Sequence, residues 1–372
     1  MNQLQLFLPC AAGVEGFLAD EVHQITELTG NDLLVGRGGV LLRASWREAL
    51  LLNLHSRLAQ RVLVQLAQGL YRSENDIYAL ASGIAWEIWF TPRQSFKVEV
   101  TAQHSPLTSL NFAALRTKDA VADRFRAKAG VRPDVDTQWP DVRVHLHLTT
   151  DEATVYIDTS GEPLFKRGWR NVKDGGAKGD APLKETLAAA MIAATGWDPQ
   201  GEAPLPLYDP CCGSGTVLIE AAQMACRIAP GLQRHFAFEK LLPFQAHVWS
   251  AIKEEANSAI TTCATGIFGS DISHRMVDFA EHNAERAGVA QAVQLRGGDA
   301  LQRMPPCEQP GVMLLNPPYG ERIAAAGSAG RNASERAADR TQGLAVGREE
   351  AQTEDGGEFF SQLATHWKKH YS

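Results

Sequence analysis

Between Pro182 and Asn316 the chain alternates short apolar runs with amphipathic stretches, and that alternation constrains the fold more than any other feature. Parallel strands need long crossovers, and helices of this length supply them. The pattern predicts strands over 205–209, 265–271, 292–296 and 312–316. The helices between them fall near 215–227, 244–260 and 274–287, after an alanine-rich helix at 184–195 led by Pro182. This region therefore reads as α/β, with any ligand expected beyond the carboxyl ends of the strands.

Four signals sit at those strand ends. The first is Asp209-Pro-Cys-Cys-Gly-Ser-Gly-Thr216, running directly into a helix. Gly213 and Gly215 allow a sharp turn and a close ligand approach. No Gly-Lys-Ser/Thr follows, so this is not a Walker loop, and Leu218 stands where a dinucleotide fold has its third glycine. Taken alone the loop is either a nucleotide cradle or a tight turn. The second signal is Asp271, suited to holding two ribose hydroxyls, although it lies 56 residues beyond Gly215 rather than about 20. An inserted crossover segment accounts for the excess. The third, Asp299 after Gly297-Gly298, is either an acceptor for an adenine amine or a turn aspartate. The fourth is Asn316-Pro-Pro-Tyr-Gly-Glu-Arg322. Its prolines remove two backbone donors and leave acceptors, as an exocyclic amine would require. Tyr319 offers a face for stacking a base.

The preceding 180 residues have a different character. Residues 1–60 read as strand, helix, strand, helix, and 61–160 as an α+β layer with strands near 61–66, 95–100, 143–148 and 153–158. His145 and His147 alternate with apolar neighbours and are expected on a polar face, as solvated residues or a metal pair. The stretch 112–132 carries Arg116, Lys118, Arg124, Arg126, Lys128 and Arg132 against Asp119 and Asp123, a surplus of four positive charges. It is either an ordinary solvated helix face or a phosphate-contacting surface. A second basic run contains Lys166, Arg167, Arg170, Lys173 and Lys178. Within it, Trp169 either stacks on a base or tucks against the following domain.

Composition narrows the classes further. The 372 residues carry a net charge of −7, with 44% hydrophobic and 21% charged residues, an ordinary globular balance. No apolar run reaches the roughly 20 residues of a membrane span, and the N-terminus lacks a basic leader region. The six cysteines form no C-x-x-C pair, so reduced thiols in the cytoplasm are expected, with no metal site.

Together these motifs resemble a class I S-adenosylmethionine-dependent methyltransferase of the amino-group type. Gly-Trp-Arg-Asn at 168–171, Ala-Pro-Leu-Lys-Glu-Thr-Leu at 181–187, the 209–216 loop and the 316–322 turn look like bacterial 23S rRNA guanine-N2 methyltransferases of the RlmL type. The stretch 229–249 resembles that family's insertion. The resemblance implies a ferredoxin-like domain over 1–60, a THUMP RNA-binding domain over 61–160, a linker over 161–180 and a Rossmann-like methyltransferase domain over 181–372. It implies S-adenosylmethionine as cofactor, held by Asp209, Gly213 and Gly215 at its methionine end, Asp271 at the ribose and Asp299 at the adenine. Asn316, Pro317 and Tyr319 then match the target-amine clamp. Arg116, Lys118, Arg124, Lys128, Lys166, Arg167 and Arg170 would contact RNA phosphates. The implied partner is 23S rRNA or a precursor of the large ribosomal subunit, with no membrane and no obligate protein partner.

Two departures stand beside the resemblance. Residues 324–358 are small and polar and read as a disordered insertion. After a family-like helix the chain stops at Ser372, where the resemblance implies about three further strands, so the methyltransferase domain is expected to be incomplete. A tRNA guanine-N2 methyltransferase and a non-catalytic RNA-binding remnant are the alternatives. A DNA adenine-N6 methyltransferase would leave residues 1–170 unexplained.

Overall fold

The computed structural model describes residues 3–170, 182–317 and 356–371. Its contacts divide the chain into two units, one made of Met1–Gly168 with Ala229–Ala259, the other of Trp169–Ile228 with Ile260–Ser372.

The first unit is built on one seven-stranded sheet. Its elements are β1 (Leu4–Pro9), α1 (Glu15–Thr26), β2 (Leu33–Gly36), β3 (Gly39–Ala44), α2 (Trp46–His55), β4 (Leu63–Leu70), α3 (Glu74–Ser82), β5 (Phe96–Ala102), α4 (Leu110–Ala129), β6 (Val142–Leu148) and β7 (Glu152–Asp158). The strand order is β2-β3-β1-β4-β7-β6-β5. The β1–β4 pairing, through Leu6 with Val64 and Phe7 with Leu63, joins two sequence regions into one ladder. β5 and β6 are parallel and the other pairs antiparallel. The first region thus contains a strand that its sequence pattern hid. Leu33–Gly36 has two exposed large apolar side chains, Leu34 and Val35, so it shows no alternation to read.

Local chemistry sets the element ends. Ser45 and Glu48 close a capping box on α2. Glu21 accepts from the Ser56 hydroxyl and the Arg57 and Leu58 amides, covering the end of that helix. Buried Asn53 donates to the Thr159 hydroxyl and accepts from Ser160, tying α2 to the end of β7. Under α4, Phe90 packs between Phe96 and Phe125, with the Phe125 ring centroid 4.9 Å away.

The segment Ala229–Ala259 belongs to this unit although it follows the glycine loop in sequence. Its helix α7 (Ala246–Ser258) presents Trp249 to Phe236 and Phe238. Phe238 donates its amide to the Thr159 carbonyl, and Arg234 donates to the carbonyls of Ser160, Glu162, Pro163 and Lys166.

The second unit contains α5 (Glu185–Ala194), β8 (Leu207–Asp209), α6 (Thr216–Ala225), β9 (Ile267–Asp271), α8 (His274–Arg286), β10 (Val293–Gly297), β11 (Val312–Met313) and α9 (Gly356–His370). The sheet order is β10-β9-β8-β11, and all neighbouring pairs are parallel. Helix α6 is buried nearly all round, which fits its mostly apolar sequence, with Glu220 and Gln223 buried alongside. It packs close because Gly269 on β9 has no side chain; a Cβ there would lie 2.1 Å from Leu218 Cδ1. Room that a third glycine provides on the helix of a dinucleotide fold is provided here on the strand. Gly269→Ala is therefore expected to cost about 1–3 kcal/mol by overpacking, readable as a lowered midpoint in urea. Ahead of α5, Pro182 does not start the helix: Lys184 is the extended residue before Glu185.

The residues expected to form a disordered insertion lie, up to 355, outside the described residues, as do Lys173, Lys178 and Tyr319.

Candidate active site

The strand order of the second unit reverses between β8 and β11. Connections from β8 proceed outward through β9 and β10, and the chain then returns to the other side of β8. Such a reversal opens a crevice at the carboxyl ends of the strands. Asp209 ends β8, Asp271 ends β9, Asp299 follows β10 and Asn316 follows β11, so the topology brings all four signals to one edge.

The glycine loop is fixed from several directions. Cys212 donates its amide to the Ser270 carbonyl at 2.9 Å, and Gly215 donates back to Cys212 at 2.9 Å. The Gly213 amide donates to Asp271 Oδ2 at 2.9 Å. Both glycines have positive φ, +53° at Gly213 and +83° at Gly215. A Cβ on Gly215 would stand 3.0 Å from that of Ala280. Strain and crowding coincide there, so Gly215→Ala is expected to cost about 1–3 kcal/mol and to displace the loop. Thermal unfolding and ligand affinity together would register both effects.

Three carboxylates surround this loop. Asp209 is buried and accepts from the Cys211 amide at 3.0 Å. Burial pushes its carboxyl up to about 8 against that hydrogen bond, and the Asp271 charge adds to the rise. Asp271 is half-buried and accepts from the Gly213 and Ser273 amides. Asp299 accepts from the Leu301 amide at 2.9 Å, which is the turn role, while its position at the strand end is the binding role. Burial raises the Cys211 thiol far above its ordinary range, and Asp209, Asp271 and Asp299 all add to it. Cys211 is therefore a neutral thiol at physiological pH, which argues against a cysteine nucleophile here.

A glycine loop at a helix N-terminus normally suits an anion. The acidic groups around it, with Asp209 joining them once ionised, disfavour phosphate and favour a ligand carrying positive charge. Carboxylates at successive strand ends add acceptors for hydroxyls and amines. Asn316 and Pro317 are half-buried across the reversal, and the Leu314 amide, donating to the Tyr208 carbonyl at 3.0 Å, anchors the strand just before them.

The expected RNA-contacting cations divide differently. Arg167 is a correction: it is buried, and its guanidinium donates to the carbonyls of Leu164 and Arg57. Arg170 also faces inward, donating to Glu185, Ser214 and Thr216. On α4, Arg116 lies over the Tyr78 ring and donates to Asn75, Lys118 pairs with Asp119, and Arg124 makes a two-pronged pair with Glu87. Lys128 is exposed near the end of that helix, and Lys166 pairs with Glu162 on the surface. Trp169 tucks inward, in the apolar core of the second unit. His145 is not a solvated strand residue either; its Nε2 lies 3.4 Å from buried Asp158.

Sequence reasoning missed Asn283, fully buried on α8, whose amide donates to the Ser214 carbonyl at 2.9 Å. The signal was present: Val277, Ala280 and Ala284 mark the buried face of α8, and Asn283 falls on it.

Comparison with known proteins places these observations in a family. Residues 5–63 match the RlmL ferredoxin-like domain, 71–158 the THUMP domain, and 167–337 the RMKL-like methyltransferase domain. The ribosomal RNA large subunit methyltransferase K/L of Psychromonas ingrahamii is 38% identical over 326 residues, 86% of this chain and 42% of that protein. Its namesake in Shewanella pealeana is 38% identical over 86% of this chain and 44% of that protein. The chain spans less than half the length of these curated relatives. Among solved structures, SMU.472 in complex with SAH aligns with a TM-score of 0.76 at 29% identity, covering 87% of this chain and 82% of that one. A Listeria monocytogenes chain, assigned by prediction as an N6-adenine-specific DNA methylase, aligns with a TM-score of 0.79 at 28% identity, over 100% of this chain and 87% of that one. With the three domain matches running in this order along one chain, and with relatives sharing more than a third of their residues over most of it, this chain belongs to the RlmL-type family of THUMP-bearing methyltransferases.

Proposed function

We propose that this chain binds S-adenosylmethionine and methylates the N2 amine of a guanine in 23S rRNA. The observation that carries the reading is the group of carboxylates around a glycine loop, set against an Asn-Pro turn across the sheet reversal whose proline has no backbone donor. When bound, the cofactor supplies a methyl group activated by a positively charged sulfur. Asp209, Gly213 and Gly215 would hold its methionine end. Asp271, which accepts from the Gly213 and Ser273 amides, would accept from the ribose hydroxyls, and Asp299, which accepts from the Leu301 amide, would accept from the adenine amine. The Asn316 side-chain oxygen and the carbonyls beside Pro317 would accept the two guanine amine protons and direct its lone pair outward. Tyr319 completes the clamp in this reading by stacking on the base. The site's contribution is alignment and amine polarisation.

A base inside folded RNA must leave its stack to reach such a crevice. The division of labour follows the sequence, with ferredoxin-like (1–60) and THUMP (61–160) regions gripping RNA, 161–180 linking, and 181–372 transferring the methyl group. Among the expected cations, Arg116, Lys118, Arg124, Lys128 and Lys166 remain as phosphate contacts. Replacing Lys118 and Lys128 by alanine should weaken binding of all RNA sequences alike. It should also reduce the salt slope by about 0.7 per contact removed on single strands, measurable by filter binding across a salt series. No helix among the described residues is long and apolar enough to cross a membrane. A cytoplasmic location on the ribosomal precursor completes the reading.

The test is methylation of unmodified 23S rRNA and of unmodified tRNA by the 372-residue chain, followed by mass analysis of the nucleosides. N2-methylguanosine in the 23S rRNA alone supports the reading. The same product in tRNA alone would reassign the substrate, and cofactor binding without any product would make the chain an RNA-binding remnant.

A further inference from the structure

The basic run at 166–170 reads as an RNA contact in the sequence, yet its last arginine is committed elsewhere. Arg170 stacks on Trp169, its guanidinium carbon 4.6 Å from the ring centroid. All three guanidinium nitrogens are engaged. Nε donates to Glu185 Oε1 at 2.5 Å, one terminal nitrogen donates to Ser214 Oγ at 3.1 Å, and the other donates to Thr216 Oγ1. Ser214 lies between the two positive-φ glycines of the loop and is itself buried. From the opposite direction Asn283 donates to the Ser214 carbonyl, Arg286 donates to Asn283 Oδ1 at 2.6 Å, and Arg286 returns to the Trp169 carbonyl at 3.1 Å. The hydrogen bonds close a circuit from Trp169-Arg170 around the loop and back.

We propose that Arg170 is a positioning residue for the cofactor loop, holding Ser214 and Thr216 so that the Gly213–Gly215 turn has its binding shape before the cofactor arrives. The inference rests on the cofactor reading given above. Two glycines in succession around one serine give this loop a large conformational freedom to lose. A loop ordered in advance does not charge that loss to binding. Planarity matters as much as charge. An arginine fork reaches three acceptors at fixed angles, whereas a lysine ammonium on a flexible stem does not reproduce the fork. Glu185 is only 5% exposed in its side chain and needs its cation, so the alanine variant carries a stability cost that the lysine variant avoids.

The experiment compares the full chain with Arg170→Lys and with Arg170→Ala/Glu185→Gln, in which no buried carboxylate is left without its cation. Affinity for S-adenosylhomocysteine is measured by calorimetry. Amide hydrogen exchange over 212–217 is measured in the cofactor-free protein. Expected is a tenfold or greater loss of affinity in both variants. Exchange across the loop should quicken while unfolding midpoints stay within a few degrees of the parent. Millimolar guanidinium should restore part of the affinity of the double variant, as a filler of a general packing defect would not. Affinity and exchange in Arg170→Lys within twofold of the parent would overturn the proposal while leaving the cofactor reading in place. No saturable binding by the parent chain would overturn the cofactor reading and this proposal with it.

Discussion

Asn316→Ala is expected to lower methyl transfer by about 100-fold or more, the scale seen when a preorganised polar contact to the reacting centre is removed, while cofactor affinity stays within twofold. The asymmetry follows from position. Asn316 stands beyond β11, across the sheet reversal from the glycine loop, and its side chain is not among the carboxylates that would hold the cofactor. Pro317 has no N–H, so the turn presents no backbone donor at that place to oppose an incoming amine, and the acceptor role falls to the Asn316 side-chain oxygen and nearby carbonyls. Asn316→Asp, which keeps an acceptor oxygen, should lose less than alanine. Single-turnover methylation with saturating RNA, alongside calorimetric titration of the cofactor, separates the two effects. Unchanged turnover in the alanine variant would remove Asn316 from the clamp.

The second large effect concerns Asp209. Its carboxyl titrates near pH 8 in the folded chain because it is buried and lies in the field of Asp271, against an ordinary aspartate value near 4 when unfolded. Between those values the folded form holds the extra proton. Stability from this group is therefore complete below about pH 4, declines as the pH rises, and levels off above about 8. A cationic ligand beside Asp209 favours the ionised form. At pH 7 cofactor binding should release close to one proton, and affinity should climb with pH until about 8. Asp209→Asn has no charge to bury and retains the oxygen that accepts from Cys211. It should melt several degrees above the parent at pH 8 without ligand, while losing at least tenfold in cofactor affinity. Calorimetry in two buffers of different ionisation enthalpy counts the proton. Equal pH slopes in parent and variant would exclude Asp209 as its source.

Much of this arrangement is legible in the sequence where periodicity and chemistry agree. Helices α7 and α8 and strand β9 fall within two residues of the expected boundaries at every end, because amphipathic spacing and flanking glycines such as Gly266 and Gly288 mark them. Strand β9 starts two residues late, at Ile267, after Gly266. The strand-end acids are readable because a parallel sheet puts every carboxyl end on one edge. The arginines were not readable: a guanidinium on the surface and one buried among carbonyls leave the same letter in a basic run. Arg167 and Arg170 are distinguished only by what folds around them. His145 was misplaced for a related reason. Alternation assigns it to the second face of the sheet correctly, but that face carries Glu99 and Asp158, not water alone. The short β2 escaped because an exposed edge strand carries no alternating pattern.

The assignment of Ala229–Ala259 to the first unit has a consequence for the order in which the chain acquires its structure during synthesis. The N-terminal sheet is complete in sequence by Asp158, but the residues that Phe238, Arg234 and Gly231 cover, including Thr159, Pro163 and Leu54, stay without those partners until about 80 further residues have been made. By then β8, the glycine loop and α6 have been made as well. The first unit is thus completed only after part of the second has been made. A fragment ending at Gly168 would lack a part of its own interior, and cutting the gene where the sequence motifs change would divide neither unit cleanly from the other.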